Sequence, residues 1–254
     1  MKIALIQSSL FWENPKANRS HFEEKINGIN DNVDLIVLPE MFTSGFTMKP
    51  NAVAETMQGE TIAWLKQLAE AKNSAITGSL VITENGNFYN RLVFVFPSGE
   101  IQFYDKRHLF TLAGEDKVYT AGDKKLIVEY KGWKICPLIC YDLRFPVFSR
   151  NAEDYDVLIY VANWPEIRIK AWDALLKARA IENVSYAIGL NRIGEDGNKF
   201  EHNGHSQVVN FLGDYLMEPV ETKGVFIVEL NKTELLLARK KFSFLSDQDS
   251  FVLN

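Results

Sequence analysis

The sequence predicts a single α/β domain spanning residues 1–254. Short, continuously apolar segments rich in β-branched residues alternate with longer segments in which apolar residues recur every three to four positions. The first pattern is typical of strands buried on both faces, and the second is typical of helices with one buried side. A chain of 254 residues fits one large domain, and no linker, repeat or low-complexity segment divides it.

The pattern of apolar residues in the first half of the chain predicts five strands and two helices. Residues 34–40 have a continuously apolar centre, and Phe22, Ile26 and Ile29 recur at helical spacing. Asn85-Gly86 is a preferred dipeptide for a tight turn, so the strands on either side should form a hairpin. The strands are expected over 2–7, 34–40, 74–83, 88–96 and 100–104, and the helices over 14–30 and 60–73.

The second half continues the alternation after a long irregular stretch, residues 105–123. Loops of that length inside a compact domain usually carry function. The final residues, 241–254, show no period, and we expect a tail that packs on a partner subunit. Strands are expected over 132–139, 156–162, 185–191, 205–211 and 225–230, and helices over 143–150, 168–183 and 231–239.

Composition narrows the class of protein. The apolar fraction of 46% and the charged fraction of 24% are ordinary for a globular protein, and the net charge of −5 argues against nucleic acid or an anionic membrane as the main partner. No apolar run approaches the ~20 residues of a spanning helix. The first strand lacks a signal-peptide cleavage site, so we expect a cytoplasmic protein.

The cysteines and histidines predict neither a disulfide nor a metal site. On one strand, Cys136 and Cys140 would lie about 13 Å apart at ~3.3 Å per residue. A disulfide needs Cα atoms within roughly 7 Å, so both should be reduced. The four histidines are scattered, and His202 and His205 lack other evident ligands. We expect no metal and no cofactor.

Cys140 stands where a buried strand ends and the chain turns polar, at Cys140-Tyr141-Asp142. A helix is expected from Leu143, with Asp142 at its N-terminus. The unpaired N–H groups of a helix start favour a thiolate, so Cys140 is a candidate nucleophile. The alternative is a small apolar side chain at the end of a strand, the commoner fate of a cysteine.

Two further charged residues stand at the ends of predicted strands. Glu40 is the last residue of the predicted strand over 34–40, and Lys106 comes after the strand over 100–104. Each could instead be a solvated surface residue. In layered α/β folds the functional crevice lies beyond the carboxyl ends of strands, so these groups and Cys140 could converge there. Thiol, carboxylate and ammonium would support acyl transfer, with Lys106 and the Tyr141 N–H holding the oxyanion.

Three segments resemble the nitrilase, or carbon–nitrogen hydrolase, superfamily: 38–40 (Leu-Pro-Glu), 104–109 (Tyr-Asp-Lys-Arg-His-Leu) and 140–146 (Cys-Tyr-Asp-Leu-Arg-Phe-Pro). The resemblance implies a four-layer αββα sandwich that forms a homodimer through its helices. It matches Glu40, Lys106 and Cys140 to the Glu-Lys-Cys triad of the family. It also places Glu115 in the loop that usually carries a second glutamate.

Within the superfamily the chain is similar to the YafV-type omega-amidases. Members that hydrolyse nitriles tend to carry Trp-Glu after the cysteine, whereas Tyr141-Asp142 stands here, and the segments 163–165 and 176–183 also resemble the omega-amidase branch. The implied substrates are small monoamides of 2-oxo dicarboxylates, such as 2-oxoglutaramate and 2-oxosuccinamate. Hydrolysis through a cysteine thioester would release the 2-oxo acid and ammonia.

A small substrate of this kind needs an apolar pocket and a cation for its distal carboxylate. Arg144, Arg107 and Arg168 are the candidate cations, with Arg144 first because it begins the segment after the nucleophile. Aromatic residues in the core would be the alternative for each pocket residue. The candidate wall residues are Phe42, Phe46, Tyr141, Phe145 and Trp164.

Other functions stay open from the residues alone. A papain-like hydrolase would use His108 as its base, although His108 lies only two residues beyond Lys106. Another amidase of the same superfamily would act on deaminated glutathione or an N-carbamoyl compound. An inactive binding or scaffold module is the alternative from a different class.

Overall fold

The computed structural model describes residues 1–252, and these residues contain two six-stranded sheets flanked by helices. The strands are β1 Lys2–Gln7, β2 Leu35–Val37, β3 Ala75–Glu84, β4 Asn87–Val95, β5 Ile101–Asp105, β6 Val128–Tyr130, β7 Trp133–Ile139, β8 Val157–Ala162, β9 Tyr186–Asn191, β10 Ser206–Val209, β11 Tyr215–Val220 and β12 Gly224–Glu229. The helices are α1 Pro15–Asn27, α2 Glu60–Lys72, α3 Pro146–Ser149, α4 Ile169–Glu182 and α5 Lys232–Lys241.

Each sheet has a parallel centre and antiparallel edges. The first runs β12-β1-β2-β3-β4-β5, with β1, β2 and β3 parallel. The second runs β11-β10-β9-β8-β7-β6, with β7, β8 and β9 parallel. The carboxyl ends of each parallel group therefore lie together at one edge of their sheet.

The apolar side chains of the first sheet alternate between two cores. Leu35 and Val37 of β2 belong to the core that also contains Leu138 and Tyr160 of the second sheet. Ile36 between them faces the core formed with α1 and α2. Burial on both faces explains why this segment is continuously apolar. The predicted αββα sandwich is confirmed.

Helix α4 lies close against strand β9. A Cβ on Gly189 of β9 would lie 2.3 Å from Leu176 Cδ1 and 2.6 Å from Trp172 Cζ2, both on α4. Only a residue without a side chain allows the helix to pack at this distance. Glycine is therefore required here by packing, and no unusual backbone angle is involved.

Most predicted elements are confirmed. Strands β3 and β4 pair as the expected hairpin, with Glu84 opposite Asn87 and positive φ angles at Asn85 and Gly86. Two strands were not predicted, β6 and β11. The first has only three residues, and the second is an edge strand that is half exposed and contains Pro219.

The helix predicted over 143–150 is wrong. Residues Cys140–Arg144 form a 3₁₀ turn, and α3 has only four residues. Phe145 between them lies outside the helical region (φ −114°, ψ 86°), because a residue before proline is disfavoured there.

Both cysteines are free, as their spacing predicts. Among residues 1–252, helices long and apolar enough to traverse a bilayer are absent. The predicted tail over 241–254 contains a 3₁₀ turn at Phe244–Asp247, and its last two positions, 253 and 254, lie outside the described residues. Its packing on a partner subunit stays a prediction, as does the single-domain organisation.

Gly189→Ala should lower the free energy of unfolding by about 1 to 3 kcal/mol, because the added methyl group overpacks the contact between β9 and α4. Urea denaturation followed by circular dichroism measures the loss. Leu176→Ala in the same chain removes the nearest clashing atoms. The double variant should therefore lose less stability than the sum of the two single changes; strict additivity would contradict this account of the packing.

Candidate active site

Side chains from both sheets line one cavity of about 380 Å³. Glu40 lies three residues beyond β2, and Lys106 directly follows β5 in the first sheet. Cys140 directly follows β7, and Asn163 directly follows β8 in the second sheet. All four line the cavity. The predicted convergence of carboxylate, ammonium and thiol is therefore present in the structure.

Lys106 is held between two carboxylates in the interior. Its Nζ lies 3.0 Å from Glu40 Oε1 and 2.9 Å from Glu115 Oε2, and all three side chains are fully buried. Asn90 Nδ2 donates to Glu40 Oε1 (2.9 Å) and to Glu115 Oε1 (3.3 Å). The Phe110 N–H donates to Glu115 Oε2 (2.6 Å). This network fixes the positions of all three charged groups.

The opposite charges in this network shift the pKa values of their neighbours. Burial by itself lowers the pKa of Lys106, but the charges of Glu115 and Glu40 outweigh it and raise that pKa. Lys106 therefore stays an ammonium. Burial, with help from Glu40, raises the pKa of Glu115, although Lys106 opposes the shift.

The second carboxylate oxygen of Glu40 is held by the second sheet. The Asn163 N–H donates to Glu40 Oε2 (2.8 Å), and Asn163 Nδ2 donates to the Glu40 carbonyl oxygen (2.7 Å). Both oxygens of the carboxylate are thus engaged, which restricts it to one orientation. Asn163 was not predicted, although it follows a buried strand in the same way as Glu40.

Cys140 has a φ of +42°, a backbone region uncommon for residues other than glycine. Burial raises the pKa of its thiol, and the charge of Glu40 and a side-chain hydrogen bond to Glu40 raise it further, while Lys106 lowers it. The expectation that helix N–H groups favour the thiolate is wrong. The turn after Cys140 is a short 3₁₀ turn, and the buried carboxylate beside the sulfur favours the thiol.

Asp142 joins the two loops that carry Lys106 and Cys140. Its fully buried carboxylate accepts hydrogen bonds from the Ile139 N–H (3.0 Å), the Tyr104 hydroxyl (2.8 Å) and the His108 N–H (3.1 Å). The predicted role of Asp142 at the N-terminus of an α-helix is therefore wrong. Its actual contacts tie the segment after β5 to the end of β7.

His108 does not line the cavity. Its Nδ1 lies 2.7 Å from Asp142 Oδ1, and its ring stacks on Phe145 with centroids 3.7 Å apart. This placement counts against a papain-like pair of Cys140 and His108. It also corrects the prediction for Phe145, which packs on His108 instead of lining the cavity.

Three of the predicted substrate-binding residues line the cavity: Phe46, Arg144 and Trp164. Phe42 does not, because its side chain packs in the helix-facing core against Phe22, with ring centroids 5.7 Å apart. Tyr141 also lines the cavity. It is the second residue of the 3₁₀ turn, where N–H groups have no acceptor within the helix.

Of the other two candidate arginines, Arg168 lines the cavity and Arg107 does not. Arg107 lies over Phe148, with its Cζ 5.3 Å from the ring centroid. Phe110 and His202 also line the cavity, although neither was predicted from the sequence as a substrate-binding residue. Among residues 1–252, no group of three or more histidine, cysteine, aspartate or glutamate side chains could hold a metal ion.

The family model for carbon-nitrogen hydrolases matches residues 2–240. The chain belongs to the carbon-nitrogen hydrolase family. It is 45% identical to omega-amidase YafV of Escherichia coli (strain K12), over 100% of this chain and 98% of the relative. It is 30% identical to 2-oxoglutaramate amidase of Bacillus subtilis (strain 168), over 96% of each chain.

A solved structure gives the same result for the fold. A CN-hydrolase superfamily protein from Xanthomonas campestris, with an arsenic adduct in its active site, is 42% identical and superposes with a TM-score of 0.98. The match covers 100% of this chain and 99% of that protein. The resemblance of the sequence to this superfamily and to its omega-amidases is confirmed.

Glu40→Gln should lower the pKa of the Cys140 thiol, because the negative charge that disfavours the thiolate is removed. The pH dependence of alkylation by iodoacetamide measures this pKa, and the midpoint should move to lower pH. Lys106→Met should move it to higher pH. Both changes are made in a Cys136→Ser background so that only Cys140 reacts; an unmoved midpoint in Glu40→Gln would contradict this electrostatic account.

Proposed function

We propose that the protein is an omega-amidase that hydrolyses the terminal amide of small 2-oxo dicarboxylate monoamides to the 2-oxo acid and ammonia. The expected substrates are 2-oxoglutaramate and 2-oxosuccinamate. The observation that carries the proposal is the meeting of Cys140, Glu40 and Lys106 in one small cavity. Full-length identity of 43–45% to proteins named omega-amidase YafV supports the choice of substrate.

In the first half of the reaction, Cys140 Sγ attacks the amide carbon while Glu40 takes the thiol proton. Because the surroundings favour the thiol, a base beside the sulfur is needed. Lys106 and the Tyr141 N–H would stabilise the oxyanion of the tetrahedral intermediate. Glu40 then returns the proton to the nitrogen, the C–N bond breaks, and ammonia leaves a thioester on Cys140.

In the second half, Glu40 takes a proton from water, and the resulting hydroxide attacks the thioester carbon. The same two donors hold the second oxyanion. The C–S bond breaks, Cys140 regains a proton from Glu40, and the 2-oxo acid leaves. One carboxylate can serve both halves because it is alternately base and acid.

Glu115 acts in this scheme as a positioning residue. Both of its carboxylate oxygens accept hydrogen bonds from Lys106 Nζ (3.1 and 2.9 Å), and the Phe110 N–H fixes it in turn. Its charge helps to raise the pKa of Lys106, so the oxyanion meets a full positive charge. Without it, the ammonium would lose one of its two ion pairs.

The remaining features of the proposal concern size and assembly. A cavity of about 380 Å³ is at the small end of ligand sites, which suits a short substrate. We expect a cytoplasmic homodimer. Its ligand would be a small-molecule amide, and we expect the protein to bind neither nucleic acid nor a membrane. Exposed apolar side chains support the dimer: Ile181 on α4, with Leu212 and Leu216 at β11, are each 43–54% exposed.

Ammonia release across a panel of short ω-amides and nitriles tests the function. Cys140→Ala should abolish turnover of 2-oxoglutaramate while leaving the circular dichroism spectrum unchanged, and Cys136→Ala is the matched control that keeps activity. Lys106→Ala should lower kcat on the order of 100-fold, as loss of an oxyanion donor does. Full activity of Cys140→Ala would end the enzyme hypothesis, and a preference for bulky amides would favour an amidase for deaminated glutathione.

A further inference from the structure

A fully buried amide lies at the end of β9, next to the turn that carries Asn163. It belongs to Asn191, the last residue of β9, which does not line the cavity. Asn191 Oδ1 accepts the Trp164 N–H (2.7 Å), and Asn191 Nδ2 donates to the carbonyl oxygens of Trp164 and Gly204 (2.8 Å each). One side chain thus binds both backbone polar groups of the residue that follows Asn163.

The bonds to Trp164 extend the pairing of two parallel strands. Ala162 at the end of β8 lies opposite Asn191, and the Arg192 N–H donates to the Ala162 carbonyl oxygen (3.1 Å). Beyond that pair, the side chain of Asn191 supplies the donor and the acceptor that a neighbouring strand would supply. The turn over 163–165 therefore leaves the sheet in one fixed conformation.

That conformation directs Asn163 towards the first sheet. The Asn163 N–H donates to Glu40 Oε2 (2.8 Å). The other carboxylate oxygen, Oε1, is bound by Lys106 Nζ (3.0 Å) and by Asn90 Nδ2 (2.9 Å). Contact with Asn163 is thus what holds the second oxygen of Glu40. This contact depends on the turn, and the turn depends on Asn191.

Asn191 is itself anchored to the first sheet. Its N–H donates to Ser206 Oγ (3.0 Å), and the Ser206 N–H donates to Gln7 Oε1 (3.0 Å) at the end of β1. Gln7 Nε2 donates to two backbone carbonyl oxygens at and just beyond the end of β11 (2.8 Å each). Gln7, Ser206 and Asn191 are all fully buried. A buried polar network therefore runs from β1 through the second sheet and returns to Glu40.

Burial restricts this network to one arrangement. A buried N–H or carbonyl group without a partner is costly, so both polar groups of Trp164 must stay on Asn191. If the amide were removed, the turn would rotate until water or another group satisfied Trp164. Asn163 would move with the turn, and Glu40 would then be held by one carboxylate oxygen only.

We propose that Asn191 is a positioning residue for Glu40, acting through the turn over 163–165. This inference rests on the proposed function, in which Glu40 is the base and the acid of both halves of the reaction. Because Asn191 lies outside the cavity, it determines how fast a bound substrate reacts and leaves substrate binding unchanged. A variant without the amide should therefore lose kcat and keep KM.

Asn191→Ala and a matched control, Asn151→Ala, separate positioning from stability. Asn151 is a buried asparagine outside the cavity with the same set of bonds. Its Oδ1 accepts the Tyr155 N–H, and its Nδ2 donates to the carbonyl oxygens of Tyr155 and Asn183. The two variants should lose a similar free energy of unfolding. Only Asn191→Ala should lower kcat for 2-oxoglutaramate, about 10- to 100-fold, the range expected for loss of a hydrogen bond to a charged group.

Alkylation of Cys140 by iodoacetamide gives a readout that a loss of stability does not move. A carboxylate that is no longer held beside the sulfur disfavours the thiolate less, so in Asn191→Ala the alkylation midpoint should move to lower pH. The change is measured in the Cys136→Ser background. Added to Glu40→Gln, Asn191→Ala should move the midpoint no further, because the carboxylate charge is already gone.

A milder variant covers the case in which Asn191→Ala does not fold. Ser206→Ala removes the hydroxyl that accepts the Asn191 N–H and leaves the amide in place. It should show the same two changes at smaller size, a lower kcat and an alkylation midpoint at lower pH. Wild-type values of both in Ser206→Ala would overturn the positioning role.

The outcomes separate this inference from the proposed function. If the wild-type protein releases ammonia from 2-oxoglutaramate but Asn191→Ala keeps its kcat or its midpoint, the positioning role is overturned and the omega-amidase function stands. An equal loss of kcat in Asn151→Ala overturns the role as well. If the wild-type protein releases no ammonia from any short ω-amide, the proposed function itself fails, and the alkylation midpoint still tests whether Asn191 positions Glu40.

Discussion

The buried ion pairs of Lys106 with Glu40 and Glu115 are the constraint on which the rest of the site depends. An unpaired charge in this position would cost several kcal/mol, so each of the three groups is tolerated only because the other two are present. Glu40 follows β2, Lys106 follows β5, and Glu115 lies in the loop beyond. The loop must therefore fold back over the end of the first sheet. This group of three side chains pairs the buried charges with one another. The same group also places a carboxylate beside an ammonium, as the chemistry requires.

The second requirement is that the two sheets pack face to face. The first sheet supplies Glu40 and Lys106, and the second supplies Cys140 and Asn163. Asn163 reaches across to hold Glu40, and Asp142 reaches across to the His108 N–H and Tyr104 hydroxyl. Neither sheet alone contains the site. The apolar core between the sheets therefore determines the distances within the site as well as the stability of the fold.

Strand positions and strand-end residues could be predicted from the sequence, because burial on both faces leaves a plain apolar pattern. The same reasoning found Glu40, Lys106 and Cys140 at strand ends. It could not separate Phe42 from Phe46, which are four residues apart in a loop where Met41 has a positive φ. The Phe42 ring enters the helix-facing core, and the Phe46 ring lines the cavity. Only the conformation of the loop determines which ring goes where. Asp142 was misassigned for a related reason: a carboxylate after a strand suits a helix start equally well, and two of its three partners, Tyr104 and His108, are distant in the chain.

The most direct test of the account is the covalent intermediate. Wild-type protein mixed with 2-oxoglutaramate, quenched in acid within the first turnovers and digested, should show the mass of the acyl group on the peptide containing Cys140. Cys136 lies on the same peptide unless cleavage separates the two cysteines. A Cys136→Ser variant should therefore show the same added mass of the acyl group. Hydroxylamine should remove the acyl group, as expected for a thioester. Ammonia release in the same sample without any adduct in the first turnovers, or an adduct that disappears in Cys136→Ser, would contradict attack by Cys140.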